Sequence, residues 1–115
     1  MSDIVIWHNP RCSKSRETLK LLEDRGLNPV IRLYLTEPPS AEELRETLGK
    51  LGLRPVELMR VKDAVFKEQG LSRDMDDERL LTAMVATPKL IERPVVLANG
   101  KAALGRPPEA VLSIL

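Results

Sequence analysis

A strand, a helix and a second strand follow one another within the first 35 residues, and that order restricts the fold more than any other feature of the chain. Ile4 to Trp7 read as the end of a buried strand, and Ser13 to Arg25 as a helix with Leu19 and Leu22 turned inward. Gly26 is placed to end that helix at its C′ position, and Asn28-Pro29 turns the chain into a second strand, Val30 to Leu35. There Ile31, Leu33 and Leu35 alternate with Arg32 and Tyr34. Two strands joined through a helix of this length form a parallel pair with a right-handed crossover.

The pattern then becomes helical. Ser40-Ala41-Glu42-Glu43 is a capping box, followed by Leu44, Leu48 and Leu51 at i, i+4, i+7 and by Gly52 as a stop. Pro55 opens a short helix through Met59 and Arg60. Another helix is expected from about Asp77 to Ala86, with Leu80, Leu81, Met84 and Val85 on one face, and Thr87-Pro88 caps one more turn. Pro94 to Ala98 and Lys101 to Leu104 are strands joined by Asn99-Gly100, a strong hairpin signal. Gly105-Arg106-Pro107-Pro108 leads into a last helix carrying Val111, Leu112 and Leu115. The expected architecture is α/β: a single domain over residues 1–115 with a four-stranded mixed sheet in the order βαβ…ββα, and a helical lobe inserted at about residues 40–89. That order resembles the thioredoxin fold.

Charge and composition exclude several function classes. Eighteen basic and 17 acidic residues leave a net charge of +1, so no general excess exists to neutralise nucleic-acid phosphates or a membrane surface. Aromatic residues are only 3%, too few for a base-stacking platform. The N-terminal apolar run stops at Trp7, too short for a signal peptide, and no run approaches the roughly 18 apolar residues of a membrane span. A single cysteine cannot form an internal disulfide, and the expected location is cytoplasmic, where thiols stay reduced.

That cysteine, Cys12, lies between the first strand and the first helix, in His8-Asn9-Pro10-Arg11-Cys12-Ser13-Lys14-Ser15-Arg16. Unsatisfied amides and the positive end of a helix dipole favour an anion there. An ordinary thiol with a pKa near 8.5 is only a few per cent ionised at pH 7, and ionising most of it takes about 2.7 kcal/mol. A helix N-terminus supplies about 0.3–1 kcal/mol, rising to about 2 where partly buried, so at least one cation must stand close to the sulfur. Arg16, one turn into the helix, is placed to reach over its N-terminus. Arg93 and Arg106 each precede a proline, Pro94 and Pro107, which restricts them to extended geometry, and Arg60 closes a short helix in the insert. A guanidinium offers a planar donor fork suited to a tetrahedral oxyanion. His8 is placed either to tune the thiol by charge or hydrogen bond, or to serve a plain structural role at the strand end. One His and one Cys are too few ligands for zinc, so no metal is expected. The phosphatase loop is absent because Thr18 stands at the sixth place after Cys12, and Asn9 and Ser15 stand where a Cys-x-x-Cys pair would need its second thiol.

The motifs His8-Asn9-Pro10-x-Cys12-x-x-Ser15-Arg16, Tyr34-Leu35-x-x-Pro38-Pro39, Arg60, Glu92-Arg93-Pro94-Val95-Val96 and Gly105-Arg106-Pro107 together resemble the glutaredoxin-coupled arsenate reductase family. The similarity covers essentially the whole chain. It implies a thiolate at Cys12 that attacks arsenate, a small oxyanion held by Arg60, Arg93 and Arg106, with Ser15 and the first-turn amides helping to position it. It implies His8 as an aid to thiol ionisation and a cis peptide before Pro94. It also implies glutathione as co-substrate, no bound cofactor, and glutaredoxin as the partner that removes the mixed disulfide. A solitary Cys12 suits this scheme, since the resolving thiols come from outside. The context Met59-Arg60-Val61-Lys62 departs from the family's usual Leu-Arg-Lys-Asn. Two other readings stand beside this one. The first is a glutathione-linked thiol oxidoreductase acting on another anion or on mixed disulfides. The second is a non-enzymatic regulator similar to the Spx-type proteins that bind RNA polymerase, which usually carry the Cys-x-x-Cys lacking here.

Overall fold

The computed structural model describes residues 4–115. Contacts divide the chain into two compact units, one that runs to Glu37 and resumes at Arg93, and a second over Pro38–Glu92. The inserted lobe is thus slightly longer at both ends than the 40–89 expected from sequence.

The first unit holds the sheet. Strand β1 (Val5–Trp7) is followed by helix α1 (Ser13–Asp24) and strand β2 (Val30–Arg32), and the chain returns as β3 (Val95–Ala98) and β4 (Lys101–Leu104). The sheet order is β2-β1-β3-β4, with β1 parallel to β2 and antiparallel to β3. This is the four-stranded mixed sheet expected from the strand order. The β3–β4 turn is made by Asn99 and Gly100, both at positive φ (54° and 73°), the twist-matched geometry that an Asn-Gly pair favours. Alternation along the short strands places Ile4, Ile6, Val96 and Ala98 on one face. There they pack with Leu22 of α1 and with Val111 and Ile114 near the C-terminus. Gly26, at φ 77°, follows the helix end as expected.

Two expectations fail in this unit. The second strand stops at Arg32 rather than Leu35, because the Leu33 carbonyl accepts the N–H groups of Thr36 (3.0 Å) and Glu37 (2.8 Å) in a turn. The apolar side of the alternation faces outward as well: Tyr34 is buried, while Ile31, within the strand, and Leu33 and Leu35, beyond it, are exposed. The C-terminal segment, Pro108–Ile114, is a 3₁₀ helix. Its three-residue repeat buries Pro108, Val111 and Ile114 instead of Leu112 and Leu115.

The second unit is helical: α2 (Ala41–Leu51), a 3₁₀ turn at Pro55–Leu58, α3 (Ala64–Glu68), α4 (Asp77–Ala86) and a 3₁₀ turn at Pro88–Leu90. The Ser40–Glu43 capping box forms as expected, its two hydrogen bonds 3.2 and 3.0 Å long. Gly52 ends α2 in the left-handed region. Helix α3 escaped the sequence analysis because five residues are too few to show a period; what starts it is Asp63, whose carboxylate accepts the Val65 N–H at 3.0 Å. Leu44, Leu48, Leu58, Phe66, Leu80, Leu81, Met84, Leu90 and Ile91 are buried. A two-residue bridge, Met59 to Ile91, ties the start of this unit's second half to its end. No helix among the described residues is long and apolar enough to cross a membrane.

Candidate active site

Strand β1 delivers the chain to a tightly bonded loop, His8 to Arg11, that ends at Cys12. The His8 N–H extends the parallel ladder to the Arg32 carbonyl at 2.8 Å. Ser15 Oγ lies 2.6 Å from His8 Nδ1 and accepts the Asn9 N–H at 3.0 Å. Asn9 Oδ1 accepts the Arg11 N–H, and the Asn9 carbonyl accepts the Cys12 N–H, each at 3.0 Å. The Arg16 guanidinium donates to the Pro10 carbonyl at 2.9 Å. Four polar side chains, from Asn9, Ser15, His8 and Arg16, thus fix a loop that has no hydrophobic anchor of its own.

Cys12 is the N-cap of α1, in extended geometry, and only 8% exposed. Burial is the strongest single influence on its ionisation and opposes it. The Ser15 amide, the Arg93 guanidinium and the Lys14 amide together outweigh burial, so the thiol titrates below its ordinary value. Both amides are first-turn donors that favour the thiolate, and no acidic residue occupies that turn to compete.

Both Arg-Pro segments meet this sulfur. Arg93 precedes a cis peptide to Pro94, as expected; Arg106 also precedes a cis peptide, to Pro107, which no sequence signal announced. Arg106 Nε donates to the Arg93 carbonyl at 2.8 Å, and one of its terminal nitrogens lies 3.8 Å from Cys12 Sγ. Arg93 is the side-chain charge that lowers the thiol's pKa, after the Ser15 amide. Arg106 is the more exposed of the two, and water screens its charge.

The structure bears on three of the candidate residues, and for His8 it favours the structural role. His8 is buried, and desolvation first, then the Arg16 charge, lower its pKa, so a neutral imidazole cannot tune the thiol by charge at pH 7. Its bond is to Ser15, which makes it a brace for the loop. Ser15 is itself fully buried with its hydroxyl engaged by His8 and Asn9, which turns it away from positioning a substrate. Arg16 likewise holds Pro10 in place of the sulfur. Arg60 belongs to the second unit, where it pairs with Asp63 at 3.0 Å and with Glu92 at 3.9 Å. Cys12, His8, Ser15, Arg16, Arg93, Pro94 and Arg106 all belong to the first. Among the described residues no group of His, Cys, Asp and Glu could hold a metal ion.

A close contact that the sequence analysis did not single out underlies this geometry. The backbone at Gly105 passes so near α1 that a Cβ there would lie 2.5 Å from Thr18 Oγ1 and 2.7 Å from Pro94 Cγ. A glycine at a strand end outside any turn signal is the available clue to such an approach.

The model of the ArsC family matches residues 7–114. The chain belongs to the ArsC family. A Neisseria meningitidis serogroup A protein named arsenate reductase is 50% identical over 117 residues, which cover the whole of both chains. The Escherichia coli K12 protein YfgD, named without an activity, is 53% identical over 97% of this chain and 96% of its own. The solved structure of an arsenate reductase from Vibrio cholerae superposes with a TM-score of 0.93 at 52% identity, over 97% of each chain. The α/β fold with its four-stranded sheet is therefore the thioredoxin-like fold of ArsC-type proteins.

Proposed function

We propose that this ArsC-family chain is an arsenate reductase that works through a Cys12 thiolate and two external thiols. The observation that carries the reading is the convergence of Arg93 and Arg106 on a cap-position sulfur whose pKa is lowered. The names of the relatives 47–50% identical to it agree.

Arsenate carries negative charge on tetrahedral oxygens, and guanidiniums match that charge and geometry. In the proposed reaction Cys12 Sγ attacks arsenic(V), the S–As bond forms, and one arsenate oxygen leaves as water after protonation. Arg93 and Arg106 stabilise charge on the oxygens as that As–O bond breaks. The glutathione thiol then displaces a second arsenic oxygen as water, and arsenic is held between the two sulfurs. The glutaredoxin thiolate attacks the glutathionyl sulfur to form a mixed disulfide, and the As–S bond to glutathione breaks with its two electrons left on arsenic. Water then hydrolyses the remaining Cys12 S–As(III) bond to release arsenite and the Cys12 thiolate. The two thiols are oxidised and arsenic is reduced, so the electrons balance. The site needs no bound cofactor in this scheme. A role for Arg60 rests on the family pattern alone, and the arsenate KM of Arg60→Ala measures it.

Ser15 occupies the place where a regulatory Cys-x-x-Cys pair would require its second thiol, and it is locked into the loop. That disfavours a redox-switched regulator. The test is a coupled NADPH assay with glutathione, glutaredoxin and arsenate: the native chain forms arsenite, and Cys12→Ser lowers the rate by about 10³-fold or more. Undiminished arsenite formation by Cys12→Ser overturns the reading. Turnover of a glutathionylated peptide with none of arsenate replaces the substrate while keeping the thiol.

A further inference from the structure

Helix α1 carries the sulfur, while the chain segments around residues 93 and 105 carry the arginines. Their spacing is set where they touch. The Gly105 N–H donates to the Pro94 carbonyl at 3.0 Å, which joins the two Arg-Pro segments through backbone. On its other side Gly105 lies against Thr18 of α1, close enough that a Cβ would meet Thr18 Oγ1 at 2.5 Å and Thr18 Cγ2 at 3.1 Å. Thr18 is fully buried, and its hydroxyl donates to the Lys14 carbonyl at 2.8 Å, so it has one orientation available. The next residue after Gly105 is Arg106, which holds the Arg93 carbonyl and approaches Cys12 Sγ.

We propose that Gly105 and Thr18 are positioning residues for the reaction: their contact sets how closely Arg93 and Arg106 approach the sulfur at the start of α1. The argument is steric. A protein interior resists compression, so a methyl inserted between Gly105 and its neighbours moves whichever segment yields first. Pro94 and Thr18 form the two walls of that gap. Yielding at the Pro94 wall displaces Arg93, and yielding of the Gly105 backbone displaces Arg106. Either change loosens the hold on the thiolate. The Thr18 hydroxyl is engaged by the Lys14 carbonyl, and Gly105 carries no side chain, so both act through the segments that they hold apart.

This inference deepens the proposed function, but its principal readout, the titration of Cys12, requires no arsenate. Iodoacetamide alkylation of Cys12 as a function of pH reports the thiolate fraction directly. Gly105→Ala is expected to move the alkylation midpoint upward toward that of an ordinary thiol and to lower kcat/KM for arsenate by about 10–100-fold. Adding Thr18→Ala to Gly105→Ala opens one wall of the gap and is expected to recover most of the midpoint. The two substitutions then couple with opposite signs. A merely structural role would lower the melting temperature and leave the midpoint alone. A folded Gly105→Ala with a native midpoint overturns the proposal, as does an equal shift with and without Thr18→Ala. Should Gly105→Ala fail to fold, Thr18→Ala alone decides: removal of its wall is expected to raise the midpoint, and a native value overturns the proposal. An arsenate-inactive native chain whose Cys12 midpoint still follows Gly105 and Thr18 would break the substrate assignment and leave the positioning intact.

Discussion

The helices of the second unit begin in one way and the helix of the first unit in another. Ser40, Asp63 and Asp76 each accept a backbone N–H at the start of α2, α3 and α4, and α2 and α4 add acidic residues to their first turns. A cap of this kind is worth about 0.5–2 kcal/mol, and an acidic residue facing the positive end of the helix dipole about 0.3–1 kcal/mol. Helix α1 has neither device. Its N-cap is a cysteine, and Lys14 and Arg16 stand where acids would otherwise help. A carboxylate in that turn would repel an incoming anion and remove the partner that ionises the thiol. The comparison teaches that α1 forgoes ordinary capping at the one helix start where a reactive anion is wanted.

The arginines provide the largest lever on this contrast beyond removal of the thiol itself. Arg106→Ala is expected to raise the arsenate KM by about 10–100-fold, the equivalent of the about 1.5–3 kcal/mol of a hydrogen bond to a charged group. Its effect on the Cys12 alkylation midpoint should be the smaller of the two, because water screens it. Arg93→Ala should raise both the KM and the midpoint. A midpoint more sensitive to Arg106 than to Arg93 would reverse the assignment of roles.

Caps sharpen the comparison at intermediate scale. Ser40→Ala or Asp76→Ala should cost about 1 kcal/mol in a denaturant melt and leave the Cys12 midpoint untouched. Cys12→Asp should be more stable than Cys12→Ala by a similar amount, since it installs at α1 the cap its neighbours possess. A Cys12→Asp no more stable than Cys12→Ala would show that the start of α1 differs from the others by more than its cap.

The pH dependence is the smallest effect and comes from His8 and Cys12. Both bind protons more weakly in the folded chain than in the unfolded one, so each contributes stability that rises with pH. The Cys12 contribution is complete above the ordinary thiol range and is lost as pH falls through the lowered folded value. The His8 contribution is complete above 6.5 and is lost as pH falls below it. His8→Gln should flatten the acid limb of the stability curve below pH 6.5 while leaving the alkaline limb unchanged. An unchanged acid limb would mean that the buried imidazole is not what titrates.

Much of this was legible in the residues because local chemistry decides it. The Asn99-Gly100 hairpin, the Ser40 capping box and the boundaries of α4 follow from turn and cap requirements that few other residues meet. The thiol at a helix start and two proline-restrained arginines were visible in the same way. What the sequence hid depends on choices among local bonding patterns that residue type alone does not make. The strand after Val30 ends early because a turn captures the Leu33 carbonyl, and no residue type there forbids extension. Apolar spacing at the C-terminus suits an α-helix as well as the 3₁₀ helix that forms. His8 and Ser15, seven apart, looked like partners for Cys12 until burial paired them with each other.

The beginning of α1 has one further consequence. Its thiolate is at once the reagent and the charge that the Ser15 and Lys14 amides stabilise. Any chemistry that neutralises it, whether protonation, alkylation or a covalent adduct, also removes the negative charge that those positive amides face. The nucleophile and the electrostatics of the helix start are therefore spent and restored together.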